Sequence, residues 1–332
     1  MNWYLFLWLI SPLIALLLDL AVGDPSPFHP VALMGRLIGG LAKTLRSLYG
    51  EEPKNLRKAG ARLVVLVCLI TFLTYALLIF GAALINRWVA LAVHILLSAQ
   101  LFACNGLGKA ALNVKKALEN DDLPGARELL GHLVGRKTDA LSQEEIVNGA
   151  VESVAENLTD AVIAPAFWLI IGGVPLMAVY KAVNTMDSMI GYTTQTHVDF
   201  GRTAALTDDV LNYLPARCAG VLAVVSAALL PGFSGREAKR TFVSDRMNHL
   251  SPNSAQTESA FAGALNLRLG GSHTYFGETV NKPLIGAGTD RPTPQMIGKS
   301  VIMMRVSSLL FLTLSVVGCL LIGFLTGELL KL

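Results

Sequence analysis

Carboxylate side chains recur at helical spacing in the stretch from Val147 to Arg217. Glu152, Glu156 and Asp160 stand four and eight residues apart, which places them on one face of an α-helix. Three carboxylates on one face repel one another unless a cation lies among them. Proteins usually hold Mg²⁺ through one or two carboxylates together with substrate phosphates. The spacing therefore predicts a site for a hard cation.

Two further polar groups follow in the same stretch at spacings of three or four residues. They consist of Lys181, Asn184 and Asp187, and of Asp208, Asp209 and Asn212. We expect Pro215 to end the helical turn of the second group. The alternative for any single carboxylate is a solvated helix face or a cap, since charged side chains are usually exposed. Three such groups flanked by apolar segments favour a common site.

The composition is that of an integral membrane protein. Of the 332 residues, 53% are hydrophobic and 15% are charged, and the mean hydropathy is +0.53, whereas soluble domains carry roughly 25% charged residues. Residues 3–22, 63–85, 88–104 and 306–325 are apolar runs close to the ~20 residues that cross a bilayer. The predicted fold class is all-α, a polytopic helical bundle forming a single membrane-embedded domain.

Two more apolar runs, residues 161–183 and 216–231, are interrupted by proline, glycine or arginine. Each predicts a broken or re-entrant helix, so the bundle has four to six apolar segments. Segments 24–62 and 105–160 are rich in lysine and arginine and should be cytoplasmic. We prefer the topology in which neither interrupted run crosses the membrane. Segment 232–300 then shares the cytoplasmic face of the inner membrane, and one site can use every acidic group.

Polar residues outside the acidic groups are candidates for contacts to phosphate or carboxylate groups. They are Asp24, His29 and Arg36 after the first span, Asn157 and Arg217 in the acidic stretch, and Asn253, Glu258 and Arg268 around a helix predicted from about Ala255 to Leu267. Helix capping and solvation explain most of these residues about as well as ligand contacts do. Ser142 and Glu145 fit a capping box, which starts the helix that carries Glu152.

Several other kinds of site are not indicated. The four cysteines lie in or beside apolar runs without paired spacing, so neither a disulfide framework nor a zinc site is predicted. The net charge of +3 comes from loops and gives no footprint for nucleic acid. Because the chain has no Walker-type glycine loop, any nucleotide must be held differently.

Six sequence blocks occur in one order across residues 19–286. They read GDPSPFHPVALMGR, VGRKT, ESVAENLTDAVIAP, YKAVNTMDSMIGY, FG followed by DDVLNYLPAR, and SPNS followed by AFAGALNLRLGG. Together they resemble the CobD/CbiB family of cobalamin biosynthesis, the adenosylcobinamide-phosphate synthases. The resemblance implies amide formation between aminopropanol phosphate and a propionate carboxylate of adenosylcobyric acid, with ATP as co-substrate and Mg²⁺ as cofactor.

The resemblance also implies roles for the polar residues. The catalytic set is Glu152, Glu156, Asp160, Asp187 and Lys181; the metal ligands are Asp160, Asp187, Asp208 and Asp209; substrate or phosphate is bound by Asp24, His29, Arg36, Asn157, Asn184, Asn212, Arg217, Asn253, Glu258 and Arg268. The implied partners are the corrinoid, aminopropanol phosphate and the lipid bilayer. The sequence leaves open whether the protein is a homo-oligomer.

The chain departs from the family pattern at several polar positions. Ala32 stands where an arginine is common, Ala42 where a glutamate is common, and Lys137 where an aspartate follows the VGR block. Residues 255–257 also replace a usual glycine, aromatic or histidine, and proline. These changes leave two alternatives open. One is a divergent corrinoid-binding paralogue, and the other is a membrane transporter or signalling protein on the same scaffold.

Overall fold

A computed structural model describes residues 3–23, 29–50, 52–191, 198–275 and 278–325. In these ranges the chain is almost entirely helical, as the composition predicts. The helices are α1 Trp3–Val22, α2 Pro30–Tyr49, α3 Pro53–Ile85, α4 Arg87–Ala99, α5 Cys104–Glu119, α6 Leu123–Gly131, α7 Gln143–Leu158, a π-helical turn Thr159–Ile163, α8 Ala164–Ile190, α9 Val198–Leu229, α10 Gly235–Asp245, α11 Ser254–Leu265 and α12 Pro294–Leu325.

The chain divides into two compact units. Unit 1 comprises Met1–Ala103, Ala164–Asn212 and Leu312–Leu332, and unit 2 comprises Cys104–Ile163 and Tyr213–Phe311. In unit 1, α3 packs against α2, α4 and α8, and α1 packs against α4. In unit 2, α7 packs against α5, α6 and α11, and α11 packs against α10. That the chain forms a single membrane-embedded domain remains a prediction.

Five helical segments within the described ranges are long and apolar enough to cross a membrane. They are Pro53–Ile85, Arg87–Glu119, Gln143–Ile190, Asp199–Leu229 and Pro294–Leu321. A shorter apolar helix covers Leu7–Val22. This confirms a polytopic bundle with four to six apolar segments. Both interrupted runs fall within candidate spans by length and composition, so the preferred topology remains a prediction.

The break predicted in the run 161–183 is present in α8. Gly172 and Gly173 leave helical geometry, and Gly173 has a φ of 67°, a left-handed conformation that glycine adopts without steric cost. Pro175 follows and cannot donate a hydrogen bond to the preceding turn. The helix resumes beyond this kink and carries Lys181 and Asn184 to the polar cluster described below.

The prediction that Pro215 ends its helix is wrong, because α9 continues from Val198 to Leu229. Proline at this position removes the hydrogen bond that the carbonyl of Leu211 would normally accept. The indole Nε1 of Trp168 donates to this carbonyl instead, at 3.3 Å. A side chain distant in sequence therefore satisfies the backbone group that Pro215 leaves exposed.

Segment 232–300 contains a small sheet that the sequence did not predict. Strands β1 Leu269–Tyr275 and β2 Glu278–Ile285 form an antiparallel hairpin. The helix predicted just before it is confirmed as α11, which ends at Leu265 where Asn266 adopts a left-handed conformation. All twelve residues of α11 are buried, although five of its first six side chains carry oxygen or nitrogen donors and acceptors.

Candidate active site

Helix α7 presents two glutamates to the interior of unit 2. The predicted capping box starts the helix: Ser142 Oγ accepts from the Glu145 amide at 3.3 Å, and Glu145 Oε2 accepts from the Ser142 amide at 2.7 Å. These bonds satisfy two amides that a helix start otherwise leaves unpaired. Glu152 and Glu156 then follow one turn apart on the same face.

Glu152 is held by a cation and by backbone. Arg136 Nη1 lies 3.0 Å from Glu152 Oε2, and the two side chains are only 4% and 12% exposed. The amide of Gly270 donates to Glu152 Oε1 at 2.7 Å. Each carboxylate oxygen thus has a strong donor, which is the condition for keeping a buried ion pair stable. The charge of Arg136 is therefore paired with Glu152, a carboxylate of the protein itself.

Glu156 connects α7 to the start of α11. Its Oε1 accepts from Ser254 Oγ at 3.0 Å, and its side chain is half-buried. The neighbouring Asn253 accepts from Arg217 Nη1 at 3.3 Å, and Arg217 also donates to the carbonyl of Tyr213 at 2.6 Å. The guanidinium carbon of Arg217 lies 3.4 Å from the centroid of the Tyr213 ring. Arg217 and Asn253 are therefore fixed beside the acidic group.

Glu258 is the most deeply buried of the carboxyl groups. It lies inside α11 with only 4% of its surface exposed. Burial raises the pKa of Glu258 well above its usual value, and the negative charges of Glu156 and Glu152 raise it further. Lys282 and Arg136 act in the opposite direction but do not cancel these effects. Glu258 therefore holds a proton up to a higher pH than an ordinary glutamate does.

His249 belongs to the same region, although the sequence gave it no role. Burial lowers the pKa of His249, and the nearby Lys282 lowers it further, so the ring is neutral near pH 7. Its Nδ1 accepts from the Ser251 amide at 3.0 Å, which places the proton on Nε2. Within the described residues Nε2 is buried without a hydrogen-bond partner. In the sequence, the only indication that His249 belongs to this region is its position two residues before the SPNS block.

We call this set the carboxyl cluster. It consists of Glu152, Glu156 and Glu258 with Arg136, His249 and Lys282. Three carboxyl groups face two cationic side chains, while the histidine is neutral. The cluster therefore has one negative charge in excess when all three carboxyl groups are ionised.

Three other predicted residues of unit 2 lie apart from this arrangement. Asp160 falls in the π-helical turn rather than on α7, so the face of Glu152 and Glu156 does not extend to it in regular geometry. Asn157 donates to the carbonyl of Ser153 at 2.9 Å, a local helix contact. Arg268 is exposed, and its backbone carbonyl accepts from Asn148 at 3.3 Å.

Unit 1 holds a second set, which we call the amide cluster. It consists of Tyr180, Lys181, Asn184, Asp208 and Asn212. Asp208 accepts from Asn212 Nδ2 at 2.9 Å and from Asn184 Nδ2 at 3.4 Å. The Tyr180 hydroxyl donates to Asn212 Oδ1 at 2.9 Å, and Lys181 Nζ donates to Asn184 Oδ1 at 3.4 Å. One carboxylate is thus surrounded by amides and one cation.

The other predicted residues of unit 1 lie around the amide cluster or outside it. His29 caps α2 by accepting from the Val31 amide at 3.1 Å, and its pKa is lowered by burial and then by the charge of Lys181. Asp209 and Asp187 are half-buried, and Arg36 is exposed. Asp24 lies outside the described residues.

The oxygen donors of the amide cluster fit one kind of magnesium site. Within the described ranges, no three His, Cys, Asp or Glu side chains are close enough to form a metal cage. Mg²⁺ does not require a cage, because one or two carboxylates and substrate phosphates usually suffice. Asp208 and the neighbouring Asp209 offer one or two such carboxylates, and the side-chain nitrogens of Asn184 and Asn212 hold the Asp208 carboxylate in place. Roles for Asp160 and Asp187 as metal ligands remain predictions.

Comparison with known proteins identifies relatives over most of the chain. A sequence model described as "CobD/Cbib protein" matches residues 12–304. The "Cobalamin biosynthesis protein CobD" of Listeria monocytogenes serovar 1/2a is 41% identical over 88% of this chain and 92% of its own length. The protein of that name from Geobacter metallireducens is 45% identical over 82% and 85%.

A third relative has the other name used in this group. "Cobalamin biosynthesis protein CbiB" of Salmonella paratyphi B is 40% identical over 91% of this chain and 94% of its own length. No solved structure matches. The matched region includes α7, α11 and the helices of the amide cluster, and therefore both clusters. The chain belongs to the CobD/CbiB family.

Proposed function

We propose that the protein is a cobalamin-biosynthesis enzyme of the inner membrane that forms an amide bond. In this reaction it attaches aminopropanol phosphate to the propionate carboxylate of adenosylcobyric acid, using ATP, on the cytoplasmic face. Family membership supports the pathway. The single observation that carries the reaction class is the carboxyl cluster, whose negative charge in excess suits an ammonium group.

The chemistry has two steps. A carboxylate resists attack by an amine, so the γ-phosphoryl group of ATP is first transferred to a carboxylate oxygen of the corrinoid, releasing ADP. The amine nitrogen then attacks the carbonyl carbon, the bond from that carbon to the phosphate oxygen breaks, and inorganic phosphate leaves. Before the attack, the ammonium group must lose a proton to a base.

We assign that base to the carboxyl cluster. Glu156 and Glu258 receive the ammonium group, and the ionised carboxylate of Glu258 accepts its proton. A raised pKa suits this role, because it makes the Glu258 carboxylate a stronger base than an ordinary glutamate. Arg136 keeps Glu152 ionised and fixed, so Glu152 contributes charge rather than a proton site. Arg217 and Asn253, beside Glu156, are placed to hold the phosphate of the amine substrate.

We assign the phosphate groups of ATP to the amide cluster. Lys181 offers a positive charge, and Asp208 with Asp209 offers carboxylate oxygens for Mg²⁺. When bound, Mg²⁺ neutralises charge that develops on the transferred phosphoryl group. The amides of Asn184 and Asn212 orient the Asp208 carboxylate by donating to its two oxygens.

An isotope experiment tests this reaction. Purified protein in detergent receives adenosylcobyric acid labelled with ¹⁸O in its free carboxylate, aminopropanol phosphate and Mg·ATP. We expect the amide product, and one ¹⁸O atom in the inorganic phosphate formed with each amide. Amide without labelled phosphate would contradict activation by phosphorylation. Corrinoid binding without product would favour the divergent paralogue, and no corrinoid binding would favour transport or signalling.

A further inference from the structure

The second half of α9 and the whole of α10 form an antiparallel helical hairpin. A Cβ atom on Gly235, at the start of α10, would lie 2.6 Å from the Cα of Ala228. A Cβ atom on Gly220, two turns earlier in α9, would lie 2.6 Å from a ring carbon of Phe242, two turns later in α10. Both glycines are needed because the helices approach too closely for a side chain.

The same part of α9 runs antiparallel to α12. The Lys299 ammonium group donates to the carbonyl of Gly232 at 3.0 Å, and Ser307 donates to Ser226 at 2.8 Å. Moving from Lys299 to Ser307 along α12 therefore corresponds to moving from Gly232 to Ser226, towards Gly220. At about 1.5 Å per residue, Gly220 lies about 9 Å beyond Ser226 in the same direction along α9, with Phe242 beside it.

This direction leads into the membrane-spanning part of α12. Arg305 is the last charged residue before the apolar run 306–325, and residues 306–321 of this run lie within a candidate span. The end of α10 therefore lies on the side towards which α12 becomes uncharged. The start of α10 is level with Arg305 and lies closer to water.

The exposed side chains of α10 and of the turn after it combine cations with large apolar groups. The first half of the helix carries three exposed cations, Arg236, Lys239 and Arg240. Its end and the following turn expose Val243 at 64%, Met247 at 64% and Leu250 at 67%, together with Ser244, Arg246 and Asn248. The remaining face of the helix is buried in unit 2 through Ala238, Thr241 and Phe242. Exposed cations and large apolar side chains on one short segment are typical of chains that lie at the boundary between headgroups and acyl chains.

We propose that residues 243–250 insert into the leaflet that α12 enters, as an interfacial anchor that does not cross the bilayer. Val243, Met247 and Leu250 contact acyl chains near the headgroups. Arg236, Lys239 and Arg240 contact the phosphates of anionic lipids, which such cations attract near a membrane surface. α10 packs against α11, which carries Glu258, so the anchor holds the carboxyl cluster near the lipid surface. This inference is independent of the proposed reaction.

Depth-dependent fluorescence quenching tests the anchor. In a background with the four native cysteines replaced by alanine, Met247→Cys carries an environment-sensitive fluorophore, and Leu284→Cys on β2, also exposed, is the matched control. The protein is reconstituted in vesicles with nitroxides at the headgroup, near the start of the acyl chain, or at mid-chain. We expect the label at Met247 to be quenched most by the nitroxide near the start of the chain, and the label at Leu284 by none of the acyl-chain nitroxides.

Three results would overturn the anchor. Equal quenching of the two labels would place Met247 in water. A blue-shifted label at Met247 that no lipid nitroxide quenches would show that protein, such as a second copy of the chain, covers it. Strongest quenching at mid-chain would show that the segment penetrates to the centre of the bilayer.

The charges are tested with the same label. Replacing phosphatidylcholine partly with phosphatidylglycerol should strengthen shallow quenching, and changing all three cations, Arg236, Lys239 and Arg240, to glutamine should remove that gain. Each cation contributes about a fivefold preference for anionic lipid, from about 1 kcal/mol per charge near the surface. The matched pair Lys54→Gln with Lys58→Gln, exposed on α3, should leave the gain unchanged. If phosphatidylglycerol still strengthens the shallow quenching in the α10 variant, these cations do not bind anionic lipid.

Discussion

The carboxyl cluster and the amide cluster both bury ionisable groups, but they balance charge differently. In the amide cluster, one carboxylate, Asp208, is surrounded by two amide donors and lies near one cation. In the carboxyl cluster, three carboxyl groups share two cations, and the most buried of them gains protons more readily than an ordinary glutamate. In the amide cluster, both oxygens of the carboxylate accept hydrogen bonds from the protein. The carboxyl cluster is completed by a proton or by a positively charged ligand.

We base the proposed assignment of each substrate group on this difference. A site with negative charge in excess stabilises an ammonium ion and penalises a phosphate. A site with a lysine and oxygen donors already in place suits Mg²⁺ and the phosphates it neutralises. We therefore expect variants of the two clusters to differ in their effects on amide formation and on stability.

The largest effect is expected from Glu258→Gln, which keeps the size of the side chain but removes the base. The rate of amide formation should fall by about 10²–10⁴-fold, which is the usual contribution of a general base. The measurement is product formed by the purified protein in single turnover. Glu119→Gln, on the surface of α5 in an ion pair with Lys115, is the matched control and should keep its activity. A Glu258→Gln variant with more than a tenth of the rate would remove Glu258 from this role.

Arg136→Met should cause the largest loss of stability. It leaves Glu152 buried beside two other carboxyl groups, and removing one partner of a buried ion pair costs about 3–5 kcal/mol. Urea unfolding in detergent micelles gives the free energy of unfolding. Arg240→Met breaks the exposed pair with Glu237 and should cost about 0–1 kcal/mol. Similar losses in the two variants would mean that the carboxyl cluster is open to water.

Tyr180→Phe probes the amide cluster in the same assay. The change removes the hydrogen bond to Asn212 and leaves a buried amide oxygen without this donor, which costs about 1–3 kcal/mol. Tyr213→Phe provides the comparison, because the Tyr213 ring is 51% exposed and stacks on Arg217 through its face. A loss for Tyr180→Phe no larger than for Tyr213→Phe would show that the amide cluster is not tightly held.

The carboxyl cluster should also make stability depend on pH. The folded protein raises the pKa of Glu258, so it binds a proton that the unfolded chain releases above the ordinary value of 4.5. The free energy of unfolding should therefore fall as the pH rises from that value towards the raised pKa, by up to about 1.4 kcal/mol per pH unit.

Glu258→Gln should remove this dependence and become the more stable variant at the alkaline end of the window. Thermal unfolding in detergent between pH 5 and 8 measures the slope. Glu119→Gln, on the surface of α5, is the control variant and should leave the slope unchanged. An unchanged slope in Glu258→Gln would contradict the assigned titration.

Local signals in the sequence predicted much of the fold. The capping box of Ser142 and Glu145, the break at Gly172 and Gly173, and the helix before Arg268 depend on neighbouring residues only, and each is confirmed within one or two residues. The apolar runs are confirmed as parts of longer helical segments. The prediction at Pro215 is contradicted, and its physical reason is a distant side chain, Trp168. Proline signals predict helix ends reliably only where no such donor is present.

The sequence identified the acidic residues but could not pair them. Arg136 meets Glu152 across 16 positions, Ser254 meets Glu156 across 98, and Gly270 meets Glu152 across 118. These partners are set by the packing of α7 against α11 and not by spacing within one helix. For the same reason His249 was missed, since only the fold brings it near Glu156. The sequence also grouped Asp160 with Glu152 because the π-helical turn has no simple sequence signal.

In the proposed reaction, the carboxyl cluster binds the ammonium group of the amine substrate. Calorimetry with aminopropanol phosphate and with the matched propanediol phosphate, which lacks the amine, tests it most directly. We predict at least about tenfold tighter binding of the amine at neutral pH, equivalent to about 1.4 kcal/mol. This preference should be lost in Glu156→Gln and kept in Asp208→Asn. Equal affinity for the two compounds, or a preference that depends on Asp208 and not on Glu156, would show that the carboxyl cluster does not bind the ammonium group.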